Sequence, residues 1–215
     1  MALDSRTVEV ICPERSRWCL YILYNLLLAI CFLLYIPMLI TKLINGKTSK
    51  VRERLGYLPR ALIDQLKGED LIWIHGVSVG ETVAAEPIVL EIRKLYPHYK
   101  VVFSTVTDTG QEMARKRIDA DGFIYFPLDF LWTVRKVLSL LRPKLVIIME
   151  TELWPNFIKT ANKMGTKVML ANGRISDRSF QRYKYLGSFL KDVLDNINVF
   201  ARQSEQDLKY FLDLG

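Results

Sequence analysis

The sequence predicts an α/β protein: a Rossmann-like, doubly wound parallel sheet preceded by one apolar helix that is long enough to cross a membrane. Two patterns predict this architecture. Residues 20–40 contain no charged side chain, and from residue 70 onward short apolar runs alternate with stretches of helical periodicity. Apolar strands that alternate with helices are typical of a parallel sheet covered by helices on both faces.

The composition fits one folded domain with an appendage. Half of the 215 residues are hydrophobic and a quarter are charged, which excludes a disordered chain and a multispan membrane protein. The net charge of +7 favours an anionic partner: nucleic acid, an acidic membrane surface or a phosphorylated substrate. Cys12, Cys19 and Cys31 have a spacing that fits neither a zinc site nor a disulfide framework.

The uncharged run LYILYNLLLAICFLLYIPMLI predicts a single transmembrane anchor over residues 18–41. At about 1.5 Å of rise per residue the run is long enough for a hydrocarbon core of about 30 Å. Trp18, Tyr21 and Tyr35 suit membrane interfaces. A buried core helix is the alternative, since Asn25 is the one strongly polar side chain in the run. A cleaved signal peptide fits less well, because the run is too long and no small-residue cleavage site follows it.

Basic residues are more frequent after the apolar run than before it. An excess of lysine and arginine after a span predicts that the following domain is cytoplasmic, with the tail of residues 1–17 on the opposite side. We expect residues 42–69 to be a basic juxtamembrane segment that lies on anionic lipid, although a solvated linker fits equally well. The basic residues before the run are Arg6, Arg15 and Arg17, and those after it are Lys42, Lys47, Lys50, Arg52 and Arg54.

The predicted domain, residues 70–215, contains six short apolar runs that we predict to be strands. These are residues 71–75, 100–105, 122–126, 144–149, 167–171 and 198–202. Helices are predicted from the first strand to about Tyr96, and over residues 107–117, 130–141 and 204–214. In the first of these helices we expect Val83, Ala84, Ile88, Ile92 and Leu95 to form the apolar face.

Polar and glycine-rich residues follow four of the predicted strands. Ligands of doubly wound sheets bind at the carboxyl ends of the strands, so we expect a site where these segments meet. The segments are residues 75–81, 104–110, 150–156 and 172–178, and they include Thr107 and Arg174 as candidate binding residues.

The first segment contains Gly76-Val-Ser78-Val-Gly80, which matches the G-x-S-x-G elbow of serine hydrolases. A nucleophilic serine needs a histidine base. His75 is too close in sequence to reach Ser78, and His98 follows the first helix, which puts it at the opposite end of the sheet. The elbow also follows the first strand of the domain rather than several. A hydrolase would therefore need a histidine beyond residue 215.

The glycine turn allows two other interpretations, of which the first is weak. A dinucleotide site is not supported, because the glycines do not form G-x-G-x-x-G and no ribose-binding acid ends the second strand. Alternatively, Gly76 and Gly80 let the backbone pack tightly and leave helix-start amides open to an anion. Glu81 falls in the first turn of that helix, where pairing with the helix dipole explains it at least as well as chemistry does.

The combination of HGVSVGE at 75–81, METELWPN at 149–156 and NGRISDRSF at 172–180 resembles the 3-deoxy-D-manno-oct-2-ulosonic acid (Kdo) transferases. The resemblance implies a GT-B glycosyltransferase, in which two Rossmann-like domains face each other across a cleft. It implies an inverting transfer of Kdo from CMP-Kdo to the lipid A precursor of lipopolysaccharide, at the inner membrane. No metal and no cofactor would be required, and no nucleic acid would bind.

The resemblance also suggests roles for individual residues. Glu81 matches the general base of the family, and Glu150 and Glu152 match the acidic pair of its ETELWPN motif. Glu150 would stabilise an oxocarbenium-like transition state, although a structural role for either acid, such as capping the following helix, is equally open. Arg174 would bind a phosphate or the Kdo carboxylate, unless it pairs with Asp177 or remains in solvent.

On this resemblance the turn at Ser78 and Gly80 contacts the acceptor, and this chain carries the acceptor side. The sequence ends at Gly215, where the family pattern would continue into a second domain that binds most of CMP-Kdo. We therefore expect either the amino-terminal half of a longer enzyme or a truncated product, inactive on its own. A membrane-tethered lipid-binding module without catalysis is the competing class of function.

Overall fold

The structure is a computed structural model that describes residues 14–44 and 48–214. Most of the predicted tail, with Cys12, lies outside these residues, as does Lys47. The described chain forms one parallel sheet of six strands in the order β3-β2-β1-β4-β5-β6, which confirms the predicted fold class. The strands are β1 Leu71–His75, β2 Lys100–Thr105, β3 Gly122–Tyr125, β4 Leu145–Met149, β5 Lys167–Gly173 and β6 Val199–Arg202.

Helices connect the strands and precede them. The helices are α1 Glu14–Ile44, α2 Thr48–Arg54, α3 Arg60–Leu66, α4 Val79–Leu95, α5 Asp108–Arg117, α6 Leu131–Leu141, α7 Pro155–Lys163, α8 Asp177–Lys184, α9 Gly187–Leu194 and α10 Glu205–Leu214. The central strands β1, β2 and β4 are buried on both faces by these helices, which is why they consist of continuous apolar runs. The edge strands differ, since β3 alternates between buried and half-buried residues and β6 is partly exposed.

Two apolar cores cover the two faces of the sheet. On β1, Ile72 and Ile74 point to the core formed with α4 and α5, whereas Leu71 and Trp73 point to the core formed with α6, α7 and the later helices. Side chains of successive strand residues point to opposite faces, so both faces of the central strand are filled. Trp73 is fully buried and packs edge-on against Phe157 of α7 at 5.0 Å.

The buried face of α4 differs from the predicted one. Of the predicted residues, Ile92 is buried and Ala84 and Ile88 pack against the core, whereas Val83 and Leu95 are exposed. Thr82, Ala85 and Val89 are buried as well. The prediction followed the apolar side chains of the helix. The helix is rotated relative to the prediction, so that Glu81 and Thr82 of its first turn are buried together with Ala85 and Val89.

Helix α1 contains the one segment among the described residues that is long and apolar enough to cross a membrane, Cys19–Pro37 with a mean hydropathy of 2.3. It is not the core helix that the sequence left open as an alternative, because only 6% of the segment is buried. The helices that follow it, α2 and α3, pack on the domain and bury Val51 and Leu66.

Candidate functional site

The strand order places a crevice at the carboxyl ends of β1 and β4. These two central strands are neighbours, but the helix after β1 covers one face of the sheet and the helix after β4 covers the other. The loops after the two strands therefore diverge, and ligands of doubly wound sheets bind at such a switch point. The candidate site residues Ser78, Glu81, Glu150 and Glu152 all lie on these two connections or at their helix start.

Ser78 and Glu81 form a capping arrangement at the start of α4. Ser78 is the N-cap residue, and its Oγ accepts from the Glu81 amide at 3.4 Å and donates to Glu81 Oε1 at 2.8 Å. Glu81 Oε2 accepts from the Val77 amide at 2.8 Å. This is a capping box in which the carboxylate satisfies loop donors. The side chain of Glu81 is 6% exposed, and each of its oxygens keeps a second lone pair for another donor.

The loop after β2 is tied to this turn. Thr107 is the N-cap of α5, and its Oγ accepts from the Gly110 amide at 3.0 Å. The same hydroxyl donates to the Val77 carbonyl at 3.3 Å. A side chain at Gly110 would meet Thr107 Oγ1 at 2.8 Å and the Val77 carbonyl oxygen at 3.2 Å. The two loops therefore approach so closely that only glycine fits between them.

Gly80 has the opposite surroundings. It is exposed, and the nearest atom that a side chain there would meet is Ser78 Oγ at 3.9 Å. Its φ angle is not positive, so the backbone does not require glycine at this position. The absence of a side chain instead leaves open space beside Ser78 at the helix start.

The acidic pair at the end of β4 sits on an unusual backbone. Glu150 has a φ of +55°, the left-handed region that costs non-glycine residues about 1 kcal/mol or more. Its amide donates to the Ala171 carbonyl at 2.8 Å, and its carboxylate forms an ion pair with Arg174 at 3.2 Å. Thr151 donates to the Arg174 carbonyl. The loops after β4 and β5 are therefore joined through Arg174.

Three carboxylates share this edge. Burial raises the pKa of Glu152 above its usual range, and the neighbouring carboxylates of Glu81 and Glu150 raise it further. A cavity of about 470 Å³ opens beside the acidic pair. It is lined by Glu150, Glu152, Arg174, Ser176, Tyr183 and Gln203, among others. The site combines the carboxylates of Glu150 and Glu152 with the exposed guanidinium of Arg174. This combination suits a substrate that develops positive charge and carries an anionic group.

The two histidines do not form a hydrolase site with Ser78. His75 is fully buried, and burial lowers its pKa to about 3. Its Nδ1 lies 2.9 Å from Ser104 Oγ, and its ring stacks on Phe126 at a centroid distance of 3.9 Å. His98 lies between α4 and β2, at the amino end of the strands. Within the described residues, the side-chain partner of Ser78 Oγ is therefore a carboxylate rather than an imidazole.

Sequence reasoning missed Asp129, a carboxylate 3% exposed. Its two oxygens accept from the amides of Asn156 at 3.0 Å and Phe157 at 2.8 Å, and so it caps α7, whose own N-cap Trp154 makes no side-chain bond. Burial raises the pKa of Asp129 to about 7, against these hydrogen bonds. No local signal indicates this role, because the capped amides lie 27 and 28 positions later.

No group of three or more metal-binding side chains occurs within residues 14–44 and 48–214. The candidate site within these ranges is therefore described by carboxylates, hydroxyls and one guanidinium.

Comparison with known proteins identifies the family. A family model described as 3-deoxy-D-manno-octulosonic-acid transferase matches residues 49–215. The chain belongs to the Kdo transferase family. The three motifs that suggested the resemblance all lie in the matched range and, in the structure, at the carboxyl edge of one sheet.

Two curated relatives illustrate the similarity. A bifunctional glycosyltransferase/methyltransferase from Fusobacterium nucleatum is 38% identical over 201 residues, covering 90% of this chain and 29% of that protein. A 3-deoxy-D-manno-octulosonic acid transferase from Haemophilus influenzae is 34% identical over 196 residues, covering 89% and 45%. This chain thus spans less than half the length of these relatives.

A crystal structure supports the fold. A protein described as a UDP-N-acetylglucosamine 2-epimerase from Listeria monocytogenes aligns with a TM-score of 0.51 at 9% identity, over 68% of this chain and 42% of that one. At this identity the similarity concerns the arrangement of the sheet and helices, and it agrees with the Rossmann-like topology described above.

Proposed function

We propose that this chain carries the acceptor side of a Kdo transferase, which moves Kdo from CMP-Kdo to the lipid A precursor during lipopolysaccharide biosynthesis. The observation that carries the proposal is the meeting of the three family motifs at one edge of the sheet. There Glu81, Glu150, Glu152 and Arg174 surround the switch point. In this proposal a second Rossmann-like domain, facing this edge across a cleft, holds most of the nucleotide.

Glu81 is the proposed general base. Inverting transfer requires a group that accepts the proton of the acceptor hydroxyl as its oxygen attacks the anomeric carbon. The carboxylate of Glu81 is held by the Val77 amide and by Ser78 Oγ, so it is fixed in position before the acceptor arrives. The open space beside Gly80 is where the acceptor sugar would approach.

Glu150 and Arg174 are proposed to act on the donor side of the reaction. The attack passes through an oxocarbenium-like state, whose positive charge the carboxylate of Glu150 would stabilise. Arg174 is 61% exposed in its side chain and pairs with Glu150 at 3.2 Å, so an incoming phosphate or Kdo carboxylate would compete for it. Glu152 and Thr107 would line the substrate on either side of the base. The donor serves as substrate, and the proposal requires no metal or cofactor.

The proposed location is the inner membrane, with the Rossmann-like domain in the cytoplasm, where the sugar nucleotide is available. Helix α1, which the sequence predicts to cross the bilayer once, is the attachment. The anionic membrane surface and the phosphorylated acceptor both suit a chain with a net charge of +7.

The test is a transfer assay on the protein that carries this chain, with labelled CMP-Kdo and lipid A precursor in mixed micelles. We expect Kdo to appear on the lipid, and acceptor binding to weaken as salt rises. Equal binding of a dephosphorylated precursor would contradict the acceptor assignment. Binding without any transfer would support the second candidate, a membrane-tethered lipid-binding module, which the apolar grooves beside α1 favour.

A further inference from the structure

The tyrosines and the asparagine in the apolar segment of α1, Cys19–Pro37, lie on one face of the helix. Within Cys19–Pro37 the side chains that are buried or half-buried recur at helical spacing: Leu20, Tyr21, Tyr24, Asn25, Leu28, Phe32, Tyr35 and Ile36. This stripe contains every tyrosine and the one asparagine of the segment. The opposite face is wholly apolar, and Ile22, Leu23, Leu26, Leu27, Ile30, Leu33 and Leu34 are 45–77% exposed.

The polar stripe is bound to the domain by specific contacts. Tyr24 donates to Asp129 at 2.8 Å. Asn25 and Asn156 exchange side-chain hydrogen bonds, the shorter at 2.8 Å. The ring of Tyr21 packs edge-on against Phe189 of α9 at 5.0 Å.

The contacts continue along the helix. Phe32 packs edge-on against Phe130 at 5.2 Å, and Tyr35 lines a cavity of about 340 Å³ with Lys50 and Arg54 of α2. The docked stretch, from Tyr21 to Tyr35, is roughly 21 Å long at 1.5 Å per residue. That length is most of the hydrocarbon thickness of about 30 Å.

Docking over this length is incompatible with crossing the bilayer. If α1 stood across the membrane in the docked state, the domain surface beside it would enter the hydrocarbon. That surface includes the exposed Arg135 and Lys163, and also Lys159, whose ammonium lies 3.8 Å above the Tyr21 ring. Charged and polar groups at that depth are strongly disfavoured.

The surface around α1 suits the boundary between headgroups and acyl chains. A groove of about 590 Å³ runs between α1, α6 and α7, with Ile22 and Leu131 among its apolar walls and Arg135, Lys159 and Lys163 among its polar ones. Among the described residues that line it none is acidic, although Lys159 forms an ion pair with Asp192 at 2.7 Å. Trp132, 53% exposed, stacks on Phe130 beside Phe32, and an exposed tryptophan is typical of membrane interfaces.

We propose that α1 lies in the plane of the membrane interface, docked on the domain by its polar stripe, with its apolar face inserted among anionic lipids. The residues before α1 then stay on the same side of the membrane as the domain, in contrast to a single-pass anchor. The inference rests on the contacts of α1 and on membrane attachment, and it does not depend on which sugar is transferred.

The native cysteines provide the test, because Cys19 and Cys31 are both exposed on α1 and twelve positions apart. Two variants, both carrying Cys12→Ser, each keep one cysteine for labelling with a fluorophore. The variant with Cys31→Ser keeps Cys19, and the variant with Cys19→Ser keeps Cys31. Quenching by nitroxide lipids then reports depth in vesicles of phosphatidylethanolamine and phosphatidylglycerol. We expect both labels at similar, shallow depths. A spanning helix separates them by about 18 Å of depth, which would overturn the proposal, as would failure of the protein to bind the vesicles.

A cross-link tests docking on the membrane. With the native cysteines replaced by serine, Asn25→Cys combined with Asn156→Cys is oxidised on vesicles, where we expect an intramolecular disulfide. Leu34→Cys combined with Asn156→Cys is the matched control, because Leu34 is 77% exposed on the opposite face. A disulfide in the first pair that forms in detergent but not on vesicles would show that α1 leaves the domain to insert, and would overturn the proposal. Both measurements are independent of transferase activity.

Discussion

At the residue scale, the proposed base is also a structural carboxylate, and one substitution separates the two roles. In Glu81→Gln the side-chain oxygen still accepts from the Val77 amide, and the new amide group donates to Ser78 Oγ in place of the present bond. We expect folding and acceptor binding to remain, while turnover falls by at least about 100-fold because the base is lost. The measurement is transfer rate together with thermal unfolding.

Ser78→Ala is the matched variant. It removes the N-cap bond of α4 and one partner of Glu81, which is expected to destabilise the protein by about 1 kcal/mol. Turnover should fall far less than in Glu81→Gln. The opposite ranking of the two variants would restore Ser78 as the chemical residue.

The left-handed backbone of Glu150 allows a second residue-level prediction. Glu150→Gly removes the cost of a φ of +55°, and the lost ion pair with Arg174 is partly exposed and contributes little. We expect the free energy of unfolding to stay the same or rise by up to about 1 kcal/mol, while transfer is lost. Urea denaturation and the transfer assay measure the two effects.

The control is Arg142→Gly, at a left-handed residue with φ of +45° at the far end of the sheet. It should give a similar gain in stability without any loss of transfer. A large loss of stability in Glu150→Gly would instead mean that the glutamate is structural.

At the scale of elements, the connections at the carboxyl edge differ in how much room they leave. Gly110→Ala would push against Thr107 and the Val77 carbonyl, and such overpacking is expected to cost about 1–3 kcal/mol. Gly80→Ala meets open space and should be neutral or stabilise α4 by up to about 1 kcal/mol. We expect Gly80→Ala to weaken acceptor binding nonetheless. If binding and stability are both unchanged in Gly80→Ala, the acceptor does not approach there.

Asp129 joins two helices, since it caps α7 and accepts from Tyr24 of α1. Its pKa of about 7 in the folded protein lies above the ordinary value of 3.8. The folded state therefore keeps a proton that the unfolded state loses, and stability falls as pH rises from about 4 to about 7.

Asp129→Asn should remove this pH dependence. Between pH of about 4 and about 7, the wild type should lose stability relative to the variant. The loss in unfolding free energy is of the order of 4 kcal/mol at most. Urea denaturation at pH 5 and pH 7.5 measures it. A parallel pH dependence in both proteins would show that other groups cause it.

The elements were largely predictable from the sequence, and the site contacts were not. Strands β1 and β2 begin and end where their apolar runs do, because a strand buried on both faces carries its own signal. The stripe of α4 was predicted correctly for Ala84, Ile88 and Ile92 and wrongly for Val83 and Leu95. The role of Asp129 and the contacts of α1 with the domain were not predicted, because the partners lie on other elements, up to 131 positions apart.

At the scale of the whole molecule, the sheet and both cores lie within residues 71–214, apart from contributions of α1 to α3 such as Tyr21, Leu58 and Leu66. A chain that starts at Lys47 should therefore fold. It should be less stable than the full chain, because Phe130, Phe189 and Asp129 lose their α1 partners. It should also lose vesicle binding, which sedimentation measures. A chain that failed to fold from Lys47 would place α1 in the folding core.

The docking of α1 has a consequence for synthesis on the ribosome. Tyr24 bonds to a residue 105 positions later and Asn25 to one 131 positions later, so the helix leaves the ribosome well before its own binding surface exists. At about 5–20 residues per second, the delay is roughly 5–30 s. During that interval both faces of the uncharged segment Cys19–Pro37 are uncovered, and in the proposed arrangement either the targeting machinery or the lipid surface binds it. In the proposed arrangement, recruitment to the membrane therefore precedes completion of the domain.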